Sequence, residues 1–300
     1  IDYQLAYIGD GVSRAEDASV ILFHDNRPAG VWPIMIMTQP DGRSRICSHG
    51  GPVLPPVFSR KLAAKSARTL TIACIEATAT TWKQFDQNER TCLHCFDSRL
   101  GLNDWHDQWM VRSARVNTQH DLFVDLQRPL AEIRNSFRKS FKPLISQGMS
   151  LWNASVVTEA DESQWDEFHN LHIAVAGRAT RSDESWQRQL SAISSGDAFF
   201  VVLRDIDSRM VGAALFHTTR DEGLYAVGAY DRSLFHKPLS HVVQFLSIGE
   251  MVRRGVKWYR LGVRTYSGDS LPPSSKDLSI SDFKQGFASH LIPRFILQLS

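Results

Sequence analysis

The sequence has few cysteines, no long apolar run and no large excess of charge of either sign. Four cysteines are too few to hold a chain of 300 residues together by disulfides, which favours a reducing cytoplasm. The most apolar runs, such as residues 31–37, are far shorter than the about 18 residues of a membrane span. With 34 basic and 32 acidic residues the net charge is +2, so no overall field would bind DNA. These absences predict a cytoplasmic protein without a membrane span or a DNA partner.

Spacing typical of metal ligands occurs once in the sequence. Cys92 and Cys95 are separated by two residues, and Cys47 with His49 could complete a set of four zinc ligands. No second Cys-x-x-Cys segment exists, and no strand-to-helix pattern precedes the first. We therefore interpret these side chains as ordinary thiols and predict no metal site.

The first half of the chain combines short strand patterns, at residues 3–8, 19–24 and 30–37, with one basic helical segment. A strand at residues 122–125 precedes apolar residues at helical spacing, with Pro129 at the first turn and Gly148 at the end. Arg134, Arg138 and Lys142 follow at intervals of four, so they line one stripe of that helix. Two interpretations stand: a solvated helix face, or a site for a diphosphate, whose oxygens fit the forked donors of arginine.

The second half of the chain has a more regular pattern. Two helices are capped by Asp161 or Ser163 and by Ser182, and three strands with short turns follow over residues 198–231. Strands joined in this way form an antiparallel meander. A helix that begins near residue 239 is too apolar to be exposed, and the strand at residues 257–263 makes it a crossover between strands of one sheet.

This order of elements resembles the acyltransferase fold shared by the GNAT (GCN5-related N-acetyltransferase) and FemAB families. The resemblance is carried by FVDLQRPLAEIRNSFRKSFKPLISQG at residues 123–148, by the core strands and central helix at residues 210–263, and by ISDFKQGF at residues 280–287. It implies an α/β fold (an α+β mixed sheet) of tandem GNAT-like domains in the FemAB arrangement. Residues 1–150 would be a degenerate GNAT-like domain with the acceptor-side basic helix, and residues 151–300 the acyl-donor domain. The plan is also similar to that of bacterial sugar N-acyltransferases acting on nucleotide-linked amino sugars.

The junction between the meander and the apolar helix has the features of a phosphate site. Pro238 is suited to a helix start, which leaves the backbone N–H groups of Leu239, Ser240 and His241 unpaired at the positive end of the helix dipole. Lys237 adds a charge and Ser240 a hydroxyl donor. The resemblance implies that this helix start receives the pyrophosphate of coenzyme A.

The same resemblance adds Tyr230, at the end of the last meander strand, to the residues that bind the donor. The junction also departs from the GNAT pattern, because FHKPLSH at residues 235–241 contains no glycine. FemAB members likewise lack that signature and take their acyl group from aminoacyl-tRNA, so both donors remain open.

Transfer of an acyl group to an amine requires the loss of a proton and a donor for the developing oxyanion. Asp282 and His241, the latter with an ordinary pKa near neutrality, are candidates for the base, and a water relay is the third. Lys284 matches the FemAB motif lysine that lies near the acyl carbonyl. The simpler interpretation of Lys284 is a surface lysine.

These patterns together predict an amide-forming N-acyltransferase. The acyl group would pass from acyl-coenzyme A, a co-substrate rather than a bound cofactor, to the amino group of a nucleotide-linked amino sugar for a surface polysaccharide such as lipopolysaccharide. One alternative is a FemAB-type transferase that uses aminoacyl-tRNA and a peptidoglycan precursor. The other is a catalytically silent binding protein of the same fold. The oligomeric state is left open.

Overall fold

The computed structural model describes residues 14–48, 51–83, 92–97, 103–112, 115–159, 161–269 and 272–298. The chain divides into two compact units, one of residues 1–119 with 293–300 and one of residues 120–292. The predicted strand at residues 3–8 and the residue His49 lie outside the described residues. No helix within the described ranges is long and apolar enough to cross a membrane.

The first unit contains two three-stranded antiparallel sheets. One has the order β1 (Arg14–Asp17), β4 (Met35–Thr38), β5 (Ser44–Cys47), and the other β2 (Val20–His24), β3 (Arg27–Trp32), β6 (Val57–Phe58). The strand predicted over residues 30–37 is two strands, because Pro33 between them has no N–H to donate to a sheet. Helices α1 (Ala64–Trp82) and α2 (Asp104–Val111) contribute to a core that contains Trp32, Trp105 and Trp109. Strand β7 (Cys92–Asp97) pairs with β14 (His290–Gln298).

The second unit is built on a mixed sheet whose strands lie in the order β8, β13, β12, β11, β10, β9. These strands are β8 (Arg115–Asp125), β9 (Asn153–Val157), β10 (Ala198–Arg204), β11 (Met210–Thr218), β12 (Glu222–Tyr230) and β13 (Trp258–Arg264). Its helices are α3 (Leu130–Ser136), α4 (Phe141–Leu151), α5 (Glu162–Ala176), α6 (Asp183–Ser194), α7 (Leu239–Arg253) and α8 (Ser275–Gln285). One apolar cluster packs around α7 and another under α5 and α6, on residues of alternating direction along β10 and β11.

Several elements of this unit confirm the sequence predictions. Asp161 and Ser182 cap α5 and α6 by accepting hydrogen bonds from Gln164 N and Ser185 N. The strands β10, β11 and β12 form the antiparallel meander. Helix α7 begins at Leu239 and connects β12 to the parallel strand β13, as a crossover helix should.

The prediction of one continuous basic helix over residues 129–148 is wrong in two respects. It is broken between α3 and α4, where Phe137 has an extended backbone. Pro143 explains the break, since in a continuous helix its ring would collide with the carbonyl of Lys139, whereas it is tolerated in the first turn of α4. Gly148 does not end the helix either. It lies inside α4 where α4 meets α7, and a Cβ there would collide with the Val242 side chain.

The second unit also begins before the division predicted at residue 150. The reason is that α3 and α4 bury their apolar sides against α7: Ile133, Phe141 and Ile145 belong to the same cluster as Val242. These helices therefore pack with residues 151–292.

Candidate functional site

A cavity of about 730 Å³ lies in the second unit where two parallel strands part. Strands β12 and β13 pair only at their beginnings, where residues 222–224 match residues 258–260. Past Leu224, β12 stays paired with β11, and β13 stays paired with β8 as far as Arg264. The cavity is lined by Tyr225, Gly228 and Tyr230 of β12. The cavity thus lies beside β12, past the point where β12 leaves β13.

Two glycines make room for the tyrosines of this wall. A Cβ at Gly228 would collide with the Tyr225 hydroxyl, and a Cβ at Gly212 would come within 2.9 Å of the Tyr230 ring. Burial raises the pKa of Tyr225 to about 12 and raises that of Tyr230 as well. Both phenols are therefore neutral hydrogen-bonding groups at neutral pH.

Helix α8 supplies one complete face to the cavity. Its N-terminus is fixed by a capping box, in which Ser274 and Asp277 bond each other's backbone N–H. The residues that line the cavity follow at helical spacing: Lys276, Ser279, Ile280, Phe283 and Lys284. Helix α7 contributes Ser240 and Gln244 to the lining. The side-chain oxygen of Gln244 accepts a 2.7 Å hydrogen bond from the Tyr259 hydroxyl.

Lys284 brings a positive charge into the cavity. Its Nζ lies 5.9 Å from the centre of the Tyr225 ring, and within the described part of the chain it makes no salt bridge or side-chain hydrogen bond. Burial lowers the pKa of Lys284, and the nearby charge of Arg260 lowers it further. Gly262, with φ +116°, leaves space for this ammonium, since a Cβ there would lie 3.0 Å from Nζ. The arrangement can donate hydrogen bonds to an oxyanion at this end of the cavity.

The two candidate bases lie outside the set of lining residues. Hydrogen bonds from Arg138 lower the pKa of Asp282; Arg138 donates from Nη1 to Oδ2 at 3.0 Å and from Nη2 to Oδ1 at 3.2 Å. His241 packs against the rings of Phe141 and Phe283, with centroids 4.7 and 5.0 Å away. Burial lowers the pKa of His241 to about 4, instead of the ordinary value that its sequence context suggests. Both groups are weak bases at neutral pH.

Of the four residues predicted to bind the donor, two line the cavity and two do not. Tyr230 and Ser240 line the cavity. Lys237 does not, because its Nζ lies 5.6 Å from the centre of the Trp152 ring. Leu239 is buried, and its backbone N–H donates to the carbonyl of Lys237 at 3.0 Å, so one donor of the expected phosphate site is already used.

The three residues predicted to bind the acceptor all have partners inside the protein. Arg134 donates to Ser146 Oγ at 2.7 Å, and Lys142 donates to the carbonyl of Asn135 at 2.7 Å. Arg138 is held by Asp282, as described above. None of the three lines the cavity.

Several lining residues were not among the sequence predictions: Arg232, Phe235, Gln244 and Lys276. A signal existed for two of them. Gln244 is polar in the middle of an apolar helix, and Lys276 is at helical spacing from Lys284. Arg232 and Phe235 lie in and just after a single turn of 3₁₀-helix, which has no period to recognise.

No group of three or more His, Cys, Asp or Glu residues within the described ranges could hold a metal ion. Cys47 and Cys74 are buried, and burial raises the pKa of Cys74 to about 11. The side chains of Cys92 and Cys95 lie outside the described residues.

No protein-family model matches the chain, and no curated protein matches it either. Among solved structures, FemX superposes with a TM-score of 0.65 and 11% identity over 95% of this chain and 88% of its own. L-PGS from Bacillus licheniformis has a TM-score of 0.59 and 13% identity over 98% of this chain and 86% of its own. A tandem GNAT protein from the clavulanic acid biosynthesis pathway has a TM-score of 0.50 and 10% identity over 96% of this chain and 83% of its own. The predicted fold class, a mixed α/β fold of the FemAB and tandem GNAT type, is confirmed.

Proposed function

We propose that the protein is an N-acyltransferase that moves an acyl group from acyl-coenzyme A to the amino group of a nucleotide-linked amino sugar, in the synthesis of a surface polysaccharide such as lipopolysaccharide. One observation carries the proposal: a cavity beside β12 contains the half-buried ammonium of Lys284, which has no salt bridge or side-chain hydrogen bond among the described residues. We also propose that it works in the cytoplasm, where both substrates are made.

In the proposed reaction the thioester carbonyl lies at the Lys284 end of the cavity. The amine of the sugar attacks the carbonyl carbon, the oxygen becomes an anion, and the Lys284 ammonium stabilises it. The C–S bond then breaks, the C–N bond remains, and the proton lost by the amine is taken up by the departing thiolate through water. No carboxylate within the described ranges lines the cavity, so a water relay suits this site better than Asp282 or His241 as a direct base.

The acceptor rests on the resemblance to sugar N-acyltransferases and on the predicted diphosphate site at Arg134, Arg138 and Lys142. Because each of these side chains is already hydrogen-bonded, a diphosphate would have to displace Asp282 from Arg138. The test is the binding of a nucleotide-linked amino sugar to the double variant Arg134→Ala, Arg138→Ala. Unchanged affinity would place the acceptor elsewhere.

A second candidate is a transferase that takes its acyl group from aminoacyl-tRNA and acts on a peptidoglycan precursor. Two observations favour it: the junction before α7 has no glycine, and the Leu239 N–H is bonded to Lys237. FemX also superposes with a higher TM-score than the tandem GNAT protein.

Calorimetric titration with coenzyme A at two salt concentrations separates the candidates. Micromolar binding supports the first proposal, and acyl transfer to a panel of nucleotide-linked amino sugars is then measured by mass spectrometry. Absence of heat with coenzyme A, together with salt-dependent binding of aminoacyl-tRNA, would support the second.

A further inference from the structure

Of the residues that the structure describes, the cavity is lined by three cationic side chains, Arg232, Lys276 and Lys284, and by no carboxylate. A concave site with charge of one sign attracts ligands of the opposite sign and repels like ones. Lys284 lies at the inner end, as described above, whereas Arg232 and Lys276 are exposed. These two exposed cations define what we name the mouth of the cavity, together with Phe235.

Arg232 has a carboxylate next to it in sequence, but that carboxylate is used elsewhere. Asp231 accepts hydrogen bonds from the backbone and hydroxyl of Ser233 and lies 3.1 Å from Arg209. Within the described residues the Arg232 side chain makes no salt bridge or hydrogen bond. Its guanidinium is therefore available to a ligand.

The side chain of Lys276 is also available to a ligand. The neighbouring Asp277 closes the capping box with Ser274, and in the part of the chain that the structure describes Lys276 has no salt bridge or side-chain hydrogen bond. Lys276 and Lys284 lie on one face of α8, eight residues and about 12 Å apart along the helix axis. The cavity thus has a positive charge at its inner end and two more at its mouth.

Phe235 follows Arg232 by three residues, at the end of the 3₁₀ turn, and its side chain is 65% exposed. A large exposed aromatic ring beside two free cations provides a flat apolar surface next to anion donors. This combination fits a nucleotide, whose base stacks on an aromatic ring and whose phosphates bind arginine and lysine.

We propose that Arg232, Lys276 and Phe235 bind a phosphorylated nucleotide of the acyl donor that lies away from its acyl group, while Lys284 faces the acyl carbonyl. This assignment rests on the proposed acyltransferase function. It moves phosphate recognition from the start of α7, where Lys237 and Leu239 are engaged, to the mouth of the cavity. In acyl-coenzyme A this nucleotide is the phosphorylated adenosine beyond the pantetheine arm. In aminoacyl-tRNA the acyl group is esterified to the terminal adenosine, and the nucleotides before it lie away from the acyl carbonyl. A phosphorylated nucleotide at the mouth can therefore come from either source.

The test is calorimetric titration with three probes: adenosine 3′,5′-bisphosphate, coenzyme A, and an RNA hairpin ending in CCA. The double variant Arg232→Ala, Lys276→Ala should bind the bisphosphate about 100-fold more weakly than the wild type. Phe235→Ala should weaken binding of the bisphosphate about tenfold. Phe235→Trp should bind it as the wild type does, because tryptophan keeps the stacking surface. Arg220→Ala is the matched control, since Arg220 is exposed in the turn at the opposite end of β12.

Each outcome decides between the assignments. Loss of coenzyme A binding in the mouth variants, but not in Arg220→Ala, supports the assignment with coenzyme A as donor. The same pattern with the hairpin, and no binding of coenzyme A, supports it with RNA as donor. Equal binding of either donor by all variants would overturn the mouth assignment and leave the acyltransferase proposal intact. If the wild type binds none of the probes, both proposals fail.

Discussion

Two groups of cations in residues 120–292 differ in what their charges contact. In the first group each side chain has a hydrogen-bond acceptor inside the protein: Arg134, Arg138 and Lys142. In the second group, among the described residues, none has a side-chain hydrogen bond or a salt bridge, and all line one cavity: Arg232, Lys276 and Lys284. A cation that is already satisfied positions segments of the protein, whereas an unsatisfied one beside a cavity is available to a ligand.

Replacement of Lys284 should have the largest effect. If this ammonium stabilises the oxyanion, Lys284→Met should lower kcat of acyl transfer by about 100- to 1,000-fold with little change in the donor dissociation constant. Steady-state kinetics and calorimetry measure the two quantities. The free energy of unfolding should be unchanged or slightly higher, because a half-buried charge without a partner is removed. A kcat within a factor of three of the wild type would mean that unpaired charge in this cavity does not indicate catalysis.

His241 extends the comparison to a half-buried group that has no hydrogen-bond partner among the described residues and does not line the cavity. Its pKa is about 4 in the folded protein and near 6.5 in the unfolded chain, so the unfolded state takes up the proton first. The stability that depends on neutral His241 is fully present above pH 6.5 and is lost as the pH falls toward 4.

Urea unfolding of the wild type and of His241→Phe between pH 7 and pH 4 measures this loss. The variant should lose less stability over that interval than the wild type. Burial also lowers the pKa of His172 and His217, so only the difference between the two proteins reports on His241. Identical pH dependence would show that His241 is protonated as easily when folded.

Replacement of Gly262 tests whether the space around the Lys284 ammonium matters for folding stability. Gly262→Ala places a Cβ 3.0 Å from Nζ and imposes a side chain on a backbone with φ +116°, which should cost about 1–3 kcal/mol of folding free energy. Thermal and urea unfolding measure this cost. Gly268→Ala, where a Cβ meets nothing within 4 Å, is the control and should be nearly neutral. Equal stability of the two variants would contradict this reading of the site.

The paired group should show the smallest effect. Arg138 and Asp282 are about half exposed, so a double-mutant cycle of Arg138→Ala and Asp282→Ala should give a coupling of only about 0.2–1 kcal/mol. The kcat of acyl transfer at saturating amino sugar should stay within a few-fold of the wild type. A strong rise in the KM of the amino sugar in Arg138→Ala at unchanged stability would support the proposed acceptor site, with the ion pair as its resting state. An unchanged KM would leave the ion pair a structural contact.

The parts of the structure that the sequence predicts are those encoded by local patterns. Alternation along β10 and β11, the caps Asp161 and Ser182, and the apolar run of α7 are each legible within about fifteen residues. The pairing of Arg138 with Asp282 joins residues separated by 144 positions, and no local pattern contains it. The burial of His241 between Phe141 and Phe283 is of the same kind.

Different reasons account for the parts of the site that the sequence misassigned or missed. The break between α3 and α4 was in principle legible from Pro143, but the helical spacing of the apolar residues masked it. The role of Arg232 and Phe235 could not be predicted from the sequence. Whether the Arg232 side chain can bind a ligand depends on the bonds that the neighbouring Asp231 makes in the folded protein.

The parting of β12 and β13 also bears on how the protein avoids aggregation. Past Leu224 and Arg260, the two strands have no ladder partner toward each other, so their backbone N–H and C=O groups on those sides form unpaired strand edges. At the rim of a sheet such edges invite another chain to add a strand. Here they face each other across a cleft within the sheet, and each strand remains paired on its far side with β11 or β8. Because both strands are interior strands of the sheet, these unpaired stretches do not lie at its rim.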